Sequence, residues 1–130
     1  IPLVAYTGDT QMCPHLLRPE FTKAQVVVSE CTFFAPEHRD RARVGRHLHV
    51  EDLPELLEAW EAKSVVLIHT SRRSSLEQAR QRIDEILSEE DAGRVLLLMD
   101  HRRNRQRYDE QCAAAEQYGD QVVDEVTAEP

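Results

Sequence analysis

Asp9, Glu30, His47, His49 and His69 are the residues of this 130-residue chain whose types and settings can do chemistry. Asp9 follows a short apolar run in Tyr6-Thr7-Gly8-Asp9-Thr10, at a glycine-bearing turn, where a carboxylate is held rigidly and still faces a cleft. His69 likewise ends the run Val65-Val66-Leu67-Ile68 and is followed by Thr70 and Ser71. Carboxylate oxygen and imidazole nitrogen both suit zinc, so two such residues at strand ends in one sheet can meet at one metal site. A third strand end reads Ser29-Glu30-Cys31-Thr32-Phe33, and the loop beyond it reads Gly45-Arg46-His47-Leu48-His49. A carboxylate beside an imidazole orients it and holds its proton, which makes a general acid able to protonate a leaving oxygen. Either His47 or His49 can supply that imidazole.

Four runs rich in β-branched and aliphatic residues have strand length and must carry these groups: Leu3 to Thr7, Gln25 to Thr32, Ser64 to Thr70 and Arg94 to Met99. Their near-continuous apolarity predicts strands buried on both faces. Helical spacing predicts a helix over Leu53 to Lys63 with a capping box from Asp52 and Glu55, and a second over Ser75 to Leu87 capped by Ser74 with Glu77. A third is predicted from Arg105 to Tyr118, ending at Gly119. The stretch Phe33 to Val50 fits neither period and reads as a functional loop with at most a short helix. Alternating strands and helices imply an α/β fold, a sheet flanked by helices, in one unit over residues 1–130. The reactive groups then all lie at C-terminal strand ends or in the loops that follow, the edge where open α/β sheets place ligands.

The bulk composition narrows the function. Net charge is −8, with 24 acidic and 16 basic residues, which opposes nonspecific nucleic-acid binding by the surface as a whole. The arginines nonetheless cluster, at Arg39, Arg41, Arg43 and Arg46, at Arg72 and Arg73, and at Arg102, Arg103, Arg105 and Arg107, so local patches can hold phosphate. Cys13, Cys31 and Cys112 are odd in number and lack CxxC spacing, which points to neither a disulfide framework nor a zinc knuckle. No apolar run is long enough to cross a bilayer, and Ile1 to Thr7 lack a basic leader and cleavage site. A soluble, cytoplasmic protein without a membrane partner is therefore expected. The chain opens on Ile1 and drops at once into an apolar run, so it reads as a fragment.

The run VAYTGDT resembles the aspartate motif of the metallo-β-lactamase fold in its ribonuclease Z branch. SECTF is similar to that branch's HEAT loop, HLH to its HST loop and LIHTSRR to its final histidine motif. The four stand in the family's order and spacing from Val4 to Arg73. The resemblance implies one half of a metallo-β-lactamase αβ/βα sandwich and a zinc-dependent hydrolase with two ions in the complete site. Asp9 becomes the carboxylate bridging the ions and His69 a terminal ligand, while Glu30 and His47 handle the leaving-group proton. The implied substrate is a phosphodiester, with RNA among the candidates and a homodimer among the possible assemblies. The sequence also departs from the family. The HxHxDH cluster, with most ligands and the general base, is absent, so this chain alone is expected to be inactive. Ser29 replaces the HEAT histidine, Leu48 and His49 replace the HST serine and threonine, and Ser74 stands where a tyrosine is expected. Two alternatives stay open: a same-fold hydrolase of a non-nucleic ester or lactone, and a noncatalytic half-fold that serves as a binding module. His15, His38 and His101 read as turn or loop residues, with a ligand pair from Asp100 and His101 the less favoured option.

Overall fold

A computed structural model describes the backbone from Pro2 to Ala128 and the side chains as far as Tyr118. Residues up to Met99 form one compact unit, and those from Asp100 on form a second. The first unit runs β1 (Val4–Tyr6), α1 (Pro19–Thr22), β2 (Val26–Glu30), α2 (Arg39–Gly45), α3 (Leu53–Ala59), β3 (Ser64–Ile68), α4 (Leu76–Ile86), α5 (Glu89–Arg94) and β4 (Val95–Leu97). Short 3-10 turns at Pro14–Leu17, Pro36–His38 and Val50–Asp52 link them. The four strands are parallel in the order β1-β2-β3-β4, with Ala5, Val27, Val65 and Val95 in one row and Tyr6, Val28, Val66 and Leu96 in the next. This is the expected α/β class, a parallel sheet flanked by helices and consistent with half of an αβ/βα sandwich. Among the described residues no helix is long and apolar enough to cross a membrane.

The expectation of strands buried on both faces needs correcting. Burial alternates along β2, β3 and β4. One face, with Ala5, Val27, Val65, Leu67, Val95 and Leu97, packs into the core against Leu53, Leu56, Leu57, Trp60 and Ile83 of the helical layer. The other face, with Val26, Val28, Val66, Ile68 and Leu96, is only half-buried, and Val4 and Tyr6 at its edge are exposed. An apolar run marks a strand but does not say how completely each of its faces is covered.

The helix boundaries also differ. α3 stops at Ala59 because Trp60 turns extended (φ −83°, ψ 121°) and drives its ring into the core, where Nε1 donates to the Leu16 carbonyl at 2.7 Å. Asp52 does not cap α3, since its carboxylate is already occupied by Arg39 and the His49 N–H. α4 is capped one residue later than expected, by Ser75 with Gln78 exchanging bonds of 2.9 and 3.1 Å, and Leu76 is left partly exposed. The unforeseen α5 is capped by Ser88. The second unit is one helix, α6 (His101–Ala128), which passes through Gly119 rather than ending there. Glycine weakens a helix interior by about 1 kcal/mol relative to alanine but does not terminate it.

Arg94 closes α5 and binds three carbonyls that α3 and the following turn leave without helical partners. Its guanidinium donates to Leu57 O (3.0 Å), Ala62 O (2.9 Å) and Trp60 O, and also pairs with Asp91 at 2.8 Å. Removing the fork while those carbonyls stay partly buried should cost about 2–4 kcal/mol. Lysine should recover little, because a single ammonium cannot reproduce the planar donor set. Urea unfolding of Arg94→Ala and Arg94→Lys checks this, and an unchanged midpoint for the alanine variant would refute the bracing role.

Candidate metal and proton-transfer site

Three loops meet over the C-terminal end of β2. Asp9 comes from the turn after β1, where Gly8 takes a left-handed backbone (φ 63°). His69 comes directly after β3 and is itself left-handed at φ 59°. Because β1 and β3 flank β2, their end loops close over it, and His69 Nδ1 lies 3.6 Å from Asp9 Oδ1. The two residues predicted to share an ion therefore project from one edge of one sheet. His47 arrives from the third loop. Arg46, left-handed at φ 57°, ends α2 with its N–H on Ala42 O and Arg43 O, and the His47 N–H returns to Ala42 O at 2.9 Å. Arg46 and His69, each immediately beside or within the site, are the only non-glycine residues with positive φ among those described. Such backbone costs about 1–3 kcal/mol per residue and persists where surrounding structure dictates it.

Asp9, His47 and His69 each offer a ligand atom within 4.8 Å of the others. Two donors on one tetrahedral zinc ion stand about 3.4 Å apart, given bonds near 2.1 Å, so the Asp9–His69 separation needs little adjustment. One carboxylate and two imidazoles match the donor number and chemistry of a catalytic zinc site, so these residues fit one such ion. Two ions need ligands beyond the described residues. Asp9 and His69 are largely exposed, and His47 is about three-quarters buried.

Glu30 lies behind His47, fully buried although its register with Ile68 puts it on the open face of the sheet. Its carboxylate is held at both oxygens, by the Leu48 N–H on Oε1 (2.7 Å) and the Thr32 hydroxyl on Oε2 (2.7 Å). His47 Nδ1 stands 3.4 Å from Oε1, off the line of a hydrogen bond and without another partner. The Phe33 ring packs edge-on to the His47 ring at 6.2 Å, and a Cβ on Gly45 would come within 3.1 Å of His47 Cδ2. The imidazole is thus confined on several sides, with its ring centre 5.8 Å from that of His69. Thr32, which sequence spacing does not single out, touches both halves of the site: it bonds Glu30 and lies 3.5 Å from His69 Nδ1.

His49 is placed differently. It is fully buried, with Nε2 donating to the Ala35 carbonyl (2.7 Å) and Nδ1 accepting the Glu51 N–H (3.1 Å). Both ring nitrogens are used, and a backbone bridge pairs His49 with Phe33. Of the two histidines in the loop, only His47 reaches the carboxylate. We expect His49→Ala to leave a buried carbonyl and N–H without partners and to cost about 2–4 kcal/mol. Chemical denaturation measures it, and a variant as stable as the parent would show that the ring carries no structural load.

The remaining groups are quieter. Cys31 is fully buried, and burial above all, then the charges of Glu30 and Asp52, raise its thiol pKa well above the ordinary value, so it stays protonated. The cysteines are free thiols. His15 lies exposed in the Pro14–Leu17 turn, His38 packs against Phe33, and His101 begins α6.

Comparison with known proteins finds similarity to tRNase Z proteins of Arabidopsis thaliana. The chain is 31% identical over 111 residues to the chloroplastic tRNase Z TRZ2, covering 80% of this chain and 30% of that protein. It is 31% identical over 91 residues to tRNase Z TRZ1, covering 65% of this chain and 31% of the relative. The chain spans under a third of the length of these relatives. No family model matches the sequence.

Proposed function

We propose that this chain is the C-terminal part of a metal-dependent hydrolase of the metallo-β-lactamase fold, similar to ribonuclease Z, and that the complete protein cleaves phosphodiesters, RNA among them. The observation that carries this reading is the meeting of Asp9, His47 and His69 over the end of β2, with Glu30 locked behind His47. The similarity to two tRNase Z proteins supports it independently.

In this mechanism Asp9 and His69 would hold zinc, and the rest of the protein would supply the further ligands. Bound zinc would activate water as the nucleophile and offset charge building on the attacked phosphate. His47 carries a proton toward the leaving oxygen. Glu30, anchored by Leu48 N–H and Thr32, orients that ring and stabilises it while it is protonated. Phe33 and Gly45 limit how far the ring can turn.

The test is metal analysis of the full-length protein followed by assay on a simple aryl phosphodiester and on a precursor tRNA. Zinc bound with cleavage of both is expected. A protein without bound metal would refute the hydrolase. Zinc bound with cleavage of lactones or other esters, and of neither phosphodiester, would move the substrate outside nucleic acids.

A further inference from the structure

A cleft of about 190 Å³ opens on the flank of His47, lined by Gln11, Met12, Arg39, Arg43, His47 and Asp52. Neither Asp9 nor His69 lines it, so it adjoins the ligand cluster through His47, which belongs to both. The two arginines are in different states. Arg39 is committed: both terminal nitrogens bind the Asp52 carboxylate at 2.9 Å, and that pairing raises its pKa and fixes its plane. Asp52 in turn accepts the His49 N–H at 3.0 Å, so the wall is braced to the loop that carries His47. Arg43 is available. Its nearest carboxylate, Asp40, stands 3.7 Å away with both side chains mostly exposed, a pair worth little in water. Asp52 balances Arg39, which leaves Arg43, held only by its exposed pair with Asp40, as the more available cation of a cleft that also offers the Gln11 amide.

Resting on the hydrolase reading above, we propose that this cleft is the subsite for the next phosphate on the leaving strand, with Arg43 as its principal ligand. The chemistry sets the direction. If His47 protonates the leaving oxygen, the departing group lies on the His47 side, and His47 itself lines this cleft. A guanidinium binds a phosphodiester through paired N–H donors, and Gln11 adds a neutral donor. Met12 supplies an apolar patch beside them for ribose or base. The site favours a leaving group that is itself a nucleotide over one that ends at the first sugar.

The experiment uses full-length protein and two substrates: a dinucleoside monophosphate, whose leaving group is a nucleoside, and a trinucleotide with one further phosphate on the leaving side. The parent should favour the second in kcat/KM by roughly tenfold, the scale of a charge-assisted hydrogen bond. Arg43→Ala should bring that ratio close to one, and Arg43→Lys should hold an intermediate value. Equal use of both substrates by the parent, or a ratio unmoved by Arg43→Ala, overturns the subsite. If neither substrate is cleaved the hydrolase reading fails, and the cleft is then judged by binding. Titration of arginine-labelled protein with a nucleoside 3′,5′-bisphosphate should shift the Arg43 Nε–H resonance to saturation, whereas an unmoved resonance refutes the site.

Discussion

An Asp9→Ala variant of the full-length protein is expected to lose phosphodiester hydrolysis by roughly a thousandfold or more, together with bound metal. The size follows from what a metal ion supplies to such a reaction, several kcal/mol of charge stabilisation at the transition state, where about 4 kcal/mol is a thousandfold. Asp9 is a favourable residue to remove. Its side chain is 61% exposed and its ion-pair neighbour among the described residues is His69, so the substitution should change stability by no more than about 0.5 kcal/mol. Loss of activity with an unchanged unfolding midpoint then reports on the site and not on the fold. His69→Ala should follow the same course, since Nδ1 lies 3.6 Å from Asp9 and the two would share an ion. Full zinc content and undiminished turnover in both variants would show that the metal, if the protein uses one, is held elsewhere.

His47→Ala should slow cleavage of a nucleotide or alkyl phosphodiester by about 10²–10⁴-fold, the usual worth of a positioned general acid, with zinc content unchanged. A nitrophenyl substrate should show a much smaller loss, because nitrophenolate departs with little protonation. The contrast between substrates identifies proton donation and not binding. It also decides between two roles for His47, which stands within ligand reach of Asp9 and His69 and 3.4 Å from Glu30. If zinc content falls in step with activity and both substrates suffer equally, His47 is a third metal ligand and the acid lies elsewhere. Glu30→Gln is the companion variant. The amide keeps an acceptor for the Leu48 N–H and a partner for Thr32, so the fold should survive, while the carboxylate that faces His47 at 3.4 Å is lost.

Much of this site was legible in one dimension because the relevant signals are local. A glycine before Asp9 permits the left-handed turn that Gly8 adopts, and an apolar run ending in His69 places that residue at a strand terminus whatever its neighbours do. Parallel strands joined by helices must send their C-terminal ends to one edge, so Asp9, Glu30 and His69 were bound to share it.

The choice between His47 and His49 was not local. Two residues apart in a loop, they differ in no property readable from sequence. The bridge between Phe33 and His49 and the bond from Leu48 N–H to Glu30 turn His49 into the core and His47 toward the site. Glu30 is buried against the parity of its strand for the same reason: Leu48 N–H and Thr32 supply partners that its neighbours in sequence do not announce. The end of α3 was set by the place of Trp60 in the core, and the passage of α6 through Gly119 by a glycine that allows a turn without requiring one. Sequence by itself thus determined the α/β class, the strand ends and the residue types available for metal and proton chemistry, because backbone propensity and apolar periodicity act over a few residues. Tertiary structure alone decided which side chains face one another and which face of the sheet is covered, because those depend on contacts between segments far apart in the chain, where burial makes a polar group costly unless a distant partner is there to meet it.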